Sequence, residues 1–387
     1  MKFLHTADWH IGKKLKNITR IEEQRAVLQE IVEICDREEV EVLLIAGDIY
    51  DVATPSAEVV DLLHNTALQL VQNGRLVLFI SGNHDDPVRL ANATVFSEKE
   101  GIYFYGNMTH RHLVQPDRKG IKVLEANPYN MIIANDKEEV YIQILPYPSE
   151  TRFREERREQ ESFLQKMERW IKQGEQKGDL PSIFVSHLFA AGGVAGEEER
   201  ELGSAKLVPL ELLPKTDYVA LGHIHKRQRF GHNIRYSGSI MQYSFDDTAR
   251  EKTVTIFDLN REERVHNLKE IPLTQSIPLK RIEAFGVDGA VELLQKYQDY
   301  YIELILYVNE PLKSGQIDQL HKAHARLVTV QPMIQRKGDS LMSSSMRGSA
   351  VLPSDLFKEF YKSEYGENAS EELVNLFIEF MEKCNET

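Results

Sequence analysis

With two cysteines in 387 residues, the chain cannot rest on a disulfide framework. Cys35 and Cys384 match no C-x-x-C spacing and read as reduced thiols, Cys35 packed on a helix. No run approaches 18 uninterrupted apolar residues, which excludes an ordinary transmembrane helix, and the first residues begin a strand rather than a charged-then-apolar leader. A cytoplasmic, nucleoid-associated protein with no membrane part is expected. Excess positive charge is missing too: 47 Lys and Arg stand against 60 Asp and Glu, a net charge of −13, so the chain as a whole has no general attraction for nucleic acid. Length and 42% hydrophobic content predict two or three soluble domains.

What is present is a set of five polar segments, Asp8-Trp9-His10, Gly47-Asp48, Gly82-Asn83-His84-Asp85, Ser186-His187 and Gly222-His223-Ile224-His225. Each follows an apolar run: Lys2 to Ala7, Val42 to Ala46, Leu76 to Ser81, Ile183 to Val185 and Tyr218 to Leu221. Such runs suit strands buried on both faces, and the helical patterns between them predict βαβ units, whose sheets bind ligands beyond the carboxyl ends of their strands. The five segments therefore belong to one edge and one site.

The side chains at that edge specify a metal chemistry. Asp8, Asp48, Asn83, His10, His187, His223 and His225 form a mixed oxygen and nitrogen set without thiolate, suited to Mn²⁺, Fe²⁺ or Zn²⁺ rather than to Ca²⁺ or thiophilic ions. Mn²⁺ is the first choice. One carboxylate bridging two ions about 3.5–4 Å apart predicts in-line phosphoryl displacement by a metal-activated water. A lone H-x-H or G-D would be an ordinary turn or a core histidine. Five together are hard to assign to packing, because buried carboxylates and imidazoles without partners cost several kcal/mol.

In order and type, D-x-H, G-D, G-N-H-D, S-H and G-H-x-H resemble the calcineurin-like metallophosphoesterases. The stretches Met1 to Gly12, Val219 to Lys226 and Tyr236 to Phe245 are similar, more narrowly, to the SbcD and Mre nucleases among them. The resemblance implies a four-layered αββα sandwich with a small α+β capping domain and C-terminal partner-binding helices. It implies two Mn²⁺ per chain, with Mg²⁺, Fe²⁺ or Zn²⁺ as substitutes. Asp8, His10, Asp48 and His225 would hold one ion; Asp48, Asn83, His187 and His223 the other. His84 would donate a proton to the leaving oxygen, with Asp85 orienting its ring. Two positions depart from the family pattern: Asp51 stands where archaeal relatives carry histidine, and Ile240 where proline is expected in Y-S-G-S-P. The implied partners are an SbcC-type ATPase in a two-plus-two heterotetramer, double-stranded DNA ends and hairpins, and a second copy of the chain.

The remaining pattern divides the chain into residues 1–270 (phosphoesterase), 271–337 (cap), 338–350 (linker) and 351–387 (docking helices). Helices are predicted over Thr19 to Val40, Pro55 to Asn73 and Ser149 to Lys177, and further strands near Tyr103 and Val123 and over Val140 to Pro146, Asn233 to Ser239 and Thr253 to Leu259. Ala190 to Gly203, rich in glycine and charge, reads as a mobile loop. From Leu279 to Met333 strand and helix patterns alternate as β-α-β-α-β, and residues 271–348 carry 9 basic against 8 acidic side chains, so this segment escapes the general acidity. His321 and His324 there read as surface or packing residues. Candidate phosphate contacts are Lys13, Lys14, Lys16 and Arg20 beside the first motif, and Lys280, Arg281, Lys313, Lys322 and Arg326 in the cap. Beyond the Gly- and Ser-rich linker, Leu356, Phe357, Phe360 and Tyr361 form one apolar stripe and Leu373, Val374, Phe377, Ile378 and Met381 another, surfaces that need a partner. A Mn²⁺-dependent DNA exonuclease and endonuclease acting as part of a larger complex is expected; a small-molecule or protein phosphoesterase of the same superfamily is the alternative.

Overall fold

The computed structural model describes residues 1–334 except 93, 150–160, 176–177, 195–205 and 248–250, and beyond them Tyr361, Ser370, Leu373 and Val374. Two sheets face each other. In the first, β1 (Lys2–Thr6), β2 (Val42–Ala46), β3 (Leu76–Ile80) and β4 (Ile102–Tyr105) run parallel. The second contains β5 (Lys122–Asn127), β6 (Asn130–Ala134), β7 (Glu139–Leu145), β8 (Ser182–His187), β9 (Tyr218–Gly222), β10 (Gln228–Phe230) and β11 (Ile234–Tyr236). There β7, β8 and β9 are parallel. The chain then returns to the first sheet, where β12 (Lys252–Asn260) pairs antiparallel with β1 and β13 (Arg264–Leu273) closes the edge, giving the order β13-β12-β1-β2-β3-β4. The strand runs on past residue 270 without a break.

Three apolar layers hold the sandwich together, and each follows from strand alternation. Phe3, Leu44, Leu78, Ile142, Val185 and Tyr218 fill the space between the sheets. On the outer side of the first sheet, Leu43, Ile45 and Phe79 pack beneath α1 (Ile21–Arg37) and α2 (Ala57–Leu70). Short helices α3 (Pro87–Asn92) and α4 (Thr94–Ser97) lead into β4. Phe184, Val219 and Leu221 on the outer face of the second sheet meet Met167 and Trp170 of α5 (Phe163–Gln173). The result is the αββα layering that the family resemblance implied.

The predicted helix over Ser149 to Lys177 is corrected. Among the described residues it spans only Phe163–Gln173. Ser162 and Gln165 exchange side-chain and backbone hydrogen bonds in a capping box, and Gly174 ends the helix, so local capping sets boundaries that the apolar stripe alone overran.

After β13 comes a smaller three-stranded sheet, β14 (Leu279–Phe285), β15 (Tyr301–Val308) and β16 (Leu327–Ile334), in that order, with α6 (Gly286–Lys296) and α7 (Ser314–Ala323) between the strands. Ile282, Leu294, Ile302, Leu304 and Leu320 form its own core. A separate contact, Leu15, Leu279 and Tyr301 with Ile18, Phe245 and Ile277, seats it on the sandwich. Residues 195–203 of the expected loop, the whole linker and, of the terminal stripes, Leu356, Phe357, Phe360, Phe377, Ile378 and Met381 lie outside the described residues.

Candidate metal centre

All five polar segments emerge where parallel strands end: β1 leads to Asp8 and His10, β2 to Asp48, β3 to Asn83, β8 to His187 and β9 to His223 and His225. The chain must turn sharply there. Asp8, His10, Asp48 and His223 accordingly adopt positive φ, at 53°, 41°, 48° and 105°. Such backbone costs on the order of 1–3 kcal/mol per residue and persists where the surroundings enforce it. The crossing backbones approach so closely that a Cβ on Gly82 would lie 2.1 Å from Asp48 Oδ1, and one on Gly47 would lie 2.3 Å from His187 Nδ1. Glycine at these two positions is a packing requirement of the site.

The side chains form overlapping groups, one of them His10, Asp48 and His84. Asp8, His10 and His225 offer donor atoms within 4.8 Å of one another, as do Asp8, Asp48 and His187. His10 Nε2 lies 3.0 Å from His225 Nε2 and 3.5 Å from Asp48 Oδ2. On the other side, Asp48 Oδ2 is 3.3 Å from His187 Nε2, and Asn83 Oδ1 is 2.9 Å from both His187 Nε2 and His223 Nδ1. His187 Nδ1 donates to the Ala46 carbonyl at 2.8 Å, which reserves Nε2 for a ligand.

Electrostatics divides the imidazoles. Burial holds His10 and His225 below the usual histidine value, and with the neighbouring His187 it pushes His223 down to about 3, so these rings are uncharged at neutral pH. Burial opposes charge on His187 as well, but the Asp48 carboxylate outweighs it and lifts His187 to about 9. Asp48 itself lies well below the usual carboxylate range: burial alone would raise it, and His187 and His10 reverse the sign. Buried carboxylates, converging lone pairs, and a His223 Nε2 with no hydrogen-bond partner are the chemistry of a cation site, and the donor set fits two divalent first-row ions.

Around the ligands, the structure reassigns one role and supplies another. Asp85 does not orient the His84 ring. Its carboxylate accepts the backbone N–H groups of Gly82, Ile49 and Tyr50 at 2.8, 3.1 and 2.9 Å, tying the second and third motifs together. The His84 ring is held by the Asp51 carbonyl, 2.7 Å from Nδ1, while the His84 backbone N–H donates to Asp48 Oδ1. The Asp51 carboxylate also lies 3.5 Å from His10 Nδ1 and 3.4 Å from Lys13 Nζ. Burial would raise Asp51, yet His10 and Lys13 hold it below the usual value. Tyr243, four residues after Ser239 of Y-S-G-S, caps the edge: its hydroxyl donates to the Trp9 carbonyl and its ring meets His10 and His225 edge-on. Sequence offered no sign of its role beyond proximity to that stretch.

The basic candidates separate as well. Lys14 and Lys16 are exposed and Lys13 is half-buried at the metal edge. Arg20 leaves the set: it is buried, with its guanidinium on the Gln242 and Ile277 carbonyls and on Glu23. Arg281 is engaged by Glu303 and Asp246, Lys280 lies over the Tyr297 and Tyr300 rings, and Arg326 donates to the Gln298 carbonyl. Lys313 and Lys322 are exposed. His324 is a satisfied core residue bonded to the Tyr297 carbonyl and the Arg326 N–H.

Residues 1–227 match the profile of the Calcineurin-like phosphoesterase family. Over 98% of its length the chain is 31% identical to the SbcD component of the nuclease SbcCD from Bacillus subtilis, covering 97% of that protein. It is 30% identical to the Staphylococcus saprophyticus protein of the same name over 81% of each chain. A solved dimetal phosphatase from Danio rerio superposes over 71% of this chain and 99% of its own, at 14% identity and a TM-score of 0.40. The chain is a metal-dependent phosphoesterase, a hydrolase, and belongs to the calcineurin-like phosphoesterase family and, within it, to the SbcD family of SbcCD nuclease components.

Proposed function

We propose that the chain cleaves DNA phosphodiesters with two Mn²⁺, as exonuclease and endonuclease, at double-stranded ends and hairpins, together with an SbcC-type ATPase. The observation that carries this reading is the set of overlapping donor groups in which Asp48 meets His187 on one side and His10 and His84 on the other. Asp8, His10, Asp48 and His225 would hold one ion and Asp48, Asn83, His187 and His223 the other. Bound there, two divalent ions supply Lewis acidity at both oxygens of an in-line displacement and a water activated near neutral pH. The chain's own groups do the rest. Asp51 holds His10 through its carboxylate and His84 through its carbonyl, which accepts the Nδ1 proton; with its ring in the imidazolium form, His84 would give the Nε2 proton to the departing alkoxide and return to the Nδ1–H tautomer. Asp85 keeps the Gly82 turn against Asp48.

Residues 279–334 act as a cap that guides DNA, with Lys313 and Lys322 on it, and Lys14 and Lys16 beside the first motif, as the exposed phosphate contacts. The helices of 351–387 dock the ATPase, and the phosphoesterase portion pairs with a second copy. The test incubates the full chain and Mn²⁺ with end-labelled duplex, hairpin DNA and a p-nitrophenyl phosphodiester, with and without the ATPase and ATP. Cleavage of the DNA substrates, weakening steeply with salt, is expected. Hydrolysis of the small diester alone would overturn the DNA reading in favour of a small-molecule or protein phosphoesterase.

A further inference from the structure

We propose a second metal site, sharing no residue with the first, in which His110 and His112 hold one divalent transition ion of the zinc class and the carboxylate of Glu98 orients the His112 ring. The three side chains offer donor atoms within 4.8 Å of one another beside the edge strand β4. Glu98 sits in the turn before β4, whereas His110 and His112 follow it, so the strand itself brings the group together. His112 is closed off from solvent on one face by Tyr105, whose ring stacks on it at a centroid distance of 3.8 Å, and its side chain has no exposed surface. The His110 ring meets His112 edge-on at 4.8 Å and is half-buried, leaving the group open on that side.

Hydrogen bonding leaves this group incomplete. His112 Nδ1 lies 2.5 Å from Glu98 Oε1, and Glu98 Oε2 accepts the Leu113 N–H at 2.8 Å, which fixes both the carboxylate and the ring. Burial, against the pull of Glu98, holds His112 below the usual histidine value, so the ring is neutral. Its proton is then on Nδ1 and a lone pair on Nε2, and Nε2 is buried with no hydrogen-bond partner. A carboxylate that fixes the tautomer of a buried imidazole, with a second imidazole alongside, is the arrangement by which proteins prepare histidine for a metal. Two imidazoles suit Zn²⁺, with waters completing the shell on the open side. An ion there would fasten the segment after β4 to the turn before it.

The experiment uses the full chain, stripped with chelator, equilibrated with Zn²⁺ and desalted for elemental analysis. His110→Ala changes a half-buried ring at little packing cost, and Glu98→Gln keeps the side-chain shape. Each should lower the zinc content by about one ion per chain, both in the wild-type background and in an Asp48→Ala background where the first site is disabled. Hydrogen exchange at residues 106–113 should slow on adding zinc to the Asp48→Ala chain and stay unchanged once His110 is also replaced. Equal zinc content with and without His110, in chains with matching circular dichroism, would overturn the site, as would loss on His110→Ala but full retention on Glu98→Gln.

Discussion

Asp48 carries its charge to both halves of the metal centre, and His84 donates its backbone N–H to the same carboxylate. Asp48→Ala should therefore abolish metal binding and activity together, while His84→Ala retains both ions and loses about 10²–10⁴-fold in cleavage. Elemental analysis beside a turnover assay separates the two, and metal loss in the His84 variant would refute its role as a non-ligand acid. Gly82→Ala should displace the same carboxylate without removing it, since the new Cβ falls 2.1 Å from Asp48 Oδ1. A displacement of that order costs about 10²-fold in rate, measurable at saturating metal. His187 adds a pH dependence. At about 9, it is protonated at neutral pH in the metal-free protein, and an ion taking Nε2 must expel that proton. Affinity should therefore rise with pH, by up to about tenfold per unit below pH 9, and then level off. Calorimetry in buffers of different ionisation enthalpy at pH 7.5 should register proton release; none would exclude His187 as a ligand.

At the scale of elements, the first turn of α1 joins the smaller sheet to the sandwich. Glu23 accepts from Arg20, from the Ile277 N–H at 3.0 Å and from the Tyr301 hydroxyl at 2.9 Å. Burial would raise its pKa, but the Arg20 guanidinium and these donors hold it below the usual glutamate value. A depressed carboxylate stabilises the folded state above its unfolded value and loses that contribution as pH falls through the folded one. Glu23→Gln leaves Arg20 buried and unpaired, which should cost about 3 kcal/mol at pH 7, with the gap to wild type narrowing below about pH 4. Denaturant melts at the two pH values, with hydrogen exchange at residues 275–282, provide the measure. The junction was opaque to sequence reading: Arg20 looked like a phosphate contact because a cluster of Lys and Arg has the same composition whether it faces solvent or a carbonyl. The five ligand segments were legible because chemistry and strand position coincide in each. Asp51 was visible only as a departure from pattern, since its work depends on a carbonyl that composition does not record.

For the whole molecule, the net charge of −13 leaves the basic work to local patches, so the surfaces that meet DNA and the surfaces that meet the ATPase should be separable. The ligands all lie between Asp8 and His225, and the strands that position them end with β13 at Leu273. The apolar stripes of the terminal segment contain none of those ligands and follow a stretch rich in serine and glycine. A chain ending near Ser340 should therefore fold, bind two ions per catalytic centre and keep its partner-independent phosphodiesterase activity. It should no longer bind the ATPase. Phe360→Asp and Phe377→Asp in the full chain should act alike, because an unpaired charge in a helix-in-groove contact costs several kcal/mol, enough to lower affinity by about 10²-fold or more. Size-exclusion chromatography with an SbcC-type partner is the measurement, and undiminished complex formation by the shortened chain would place the docking surface elsewhere.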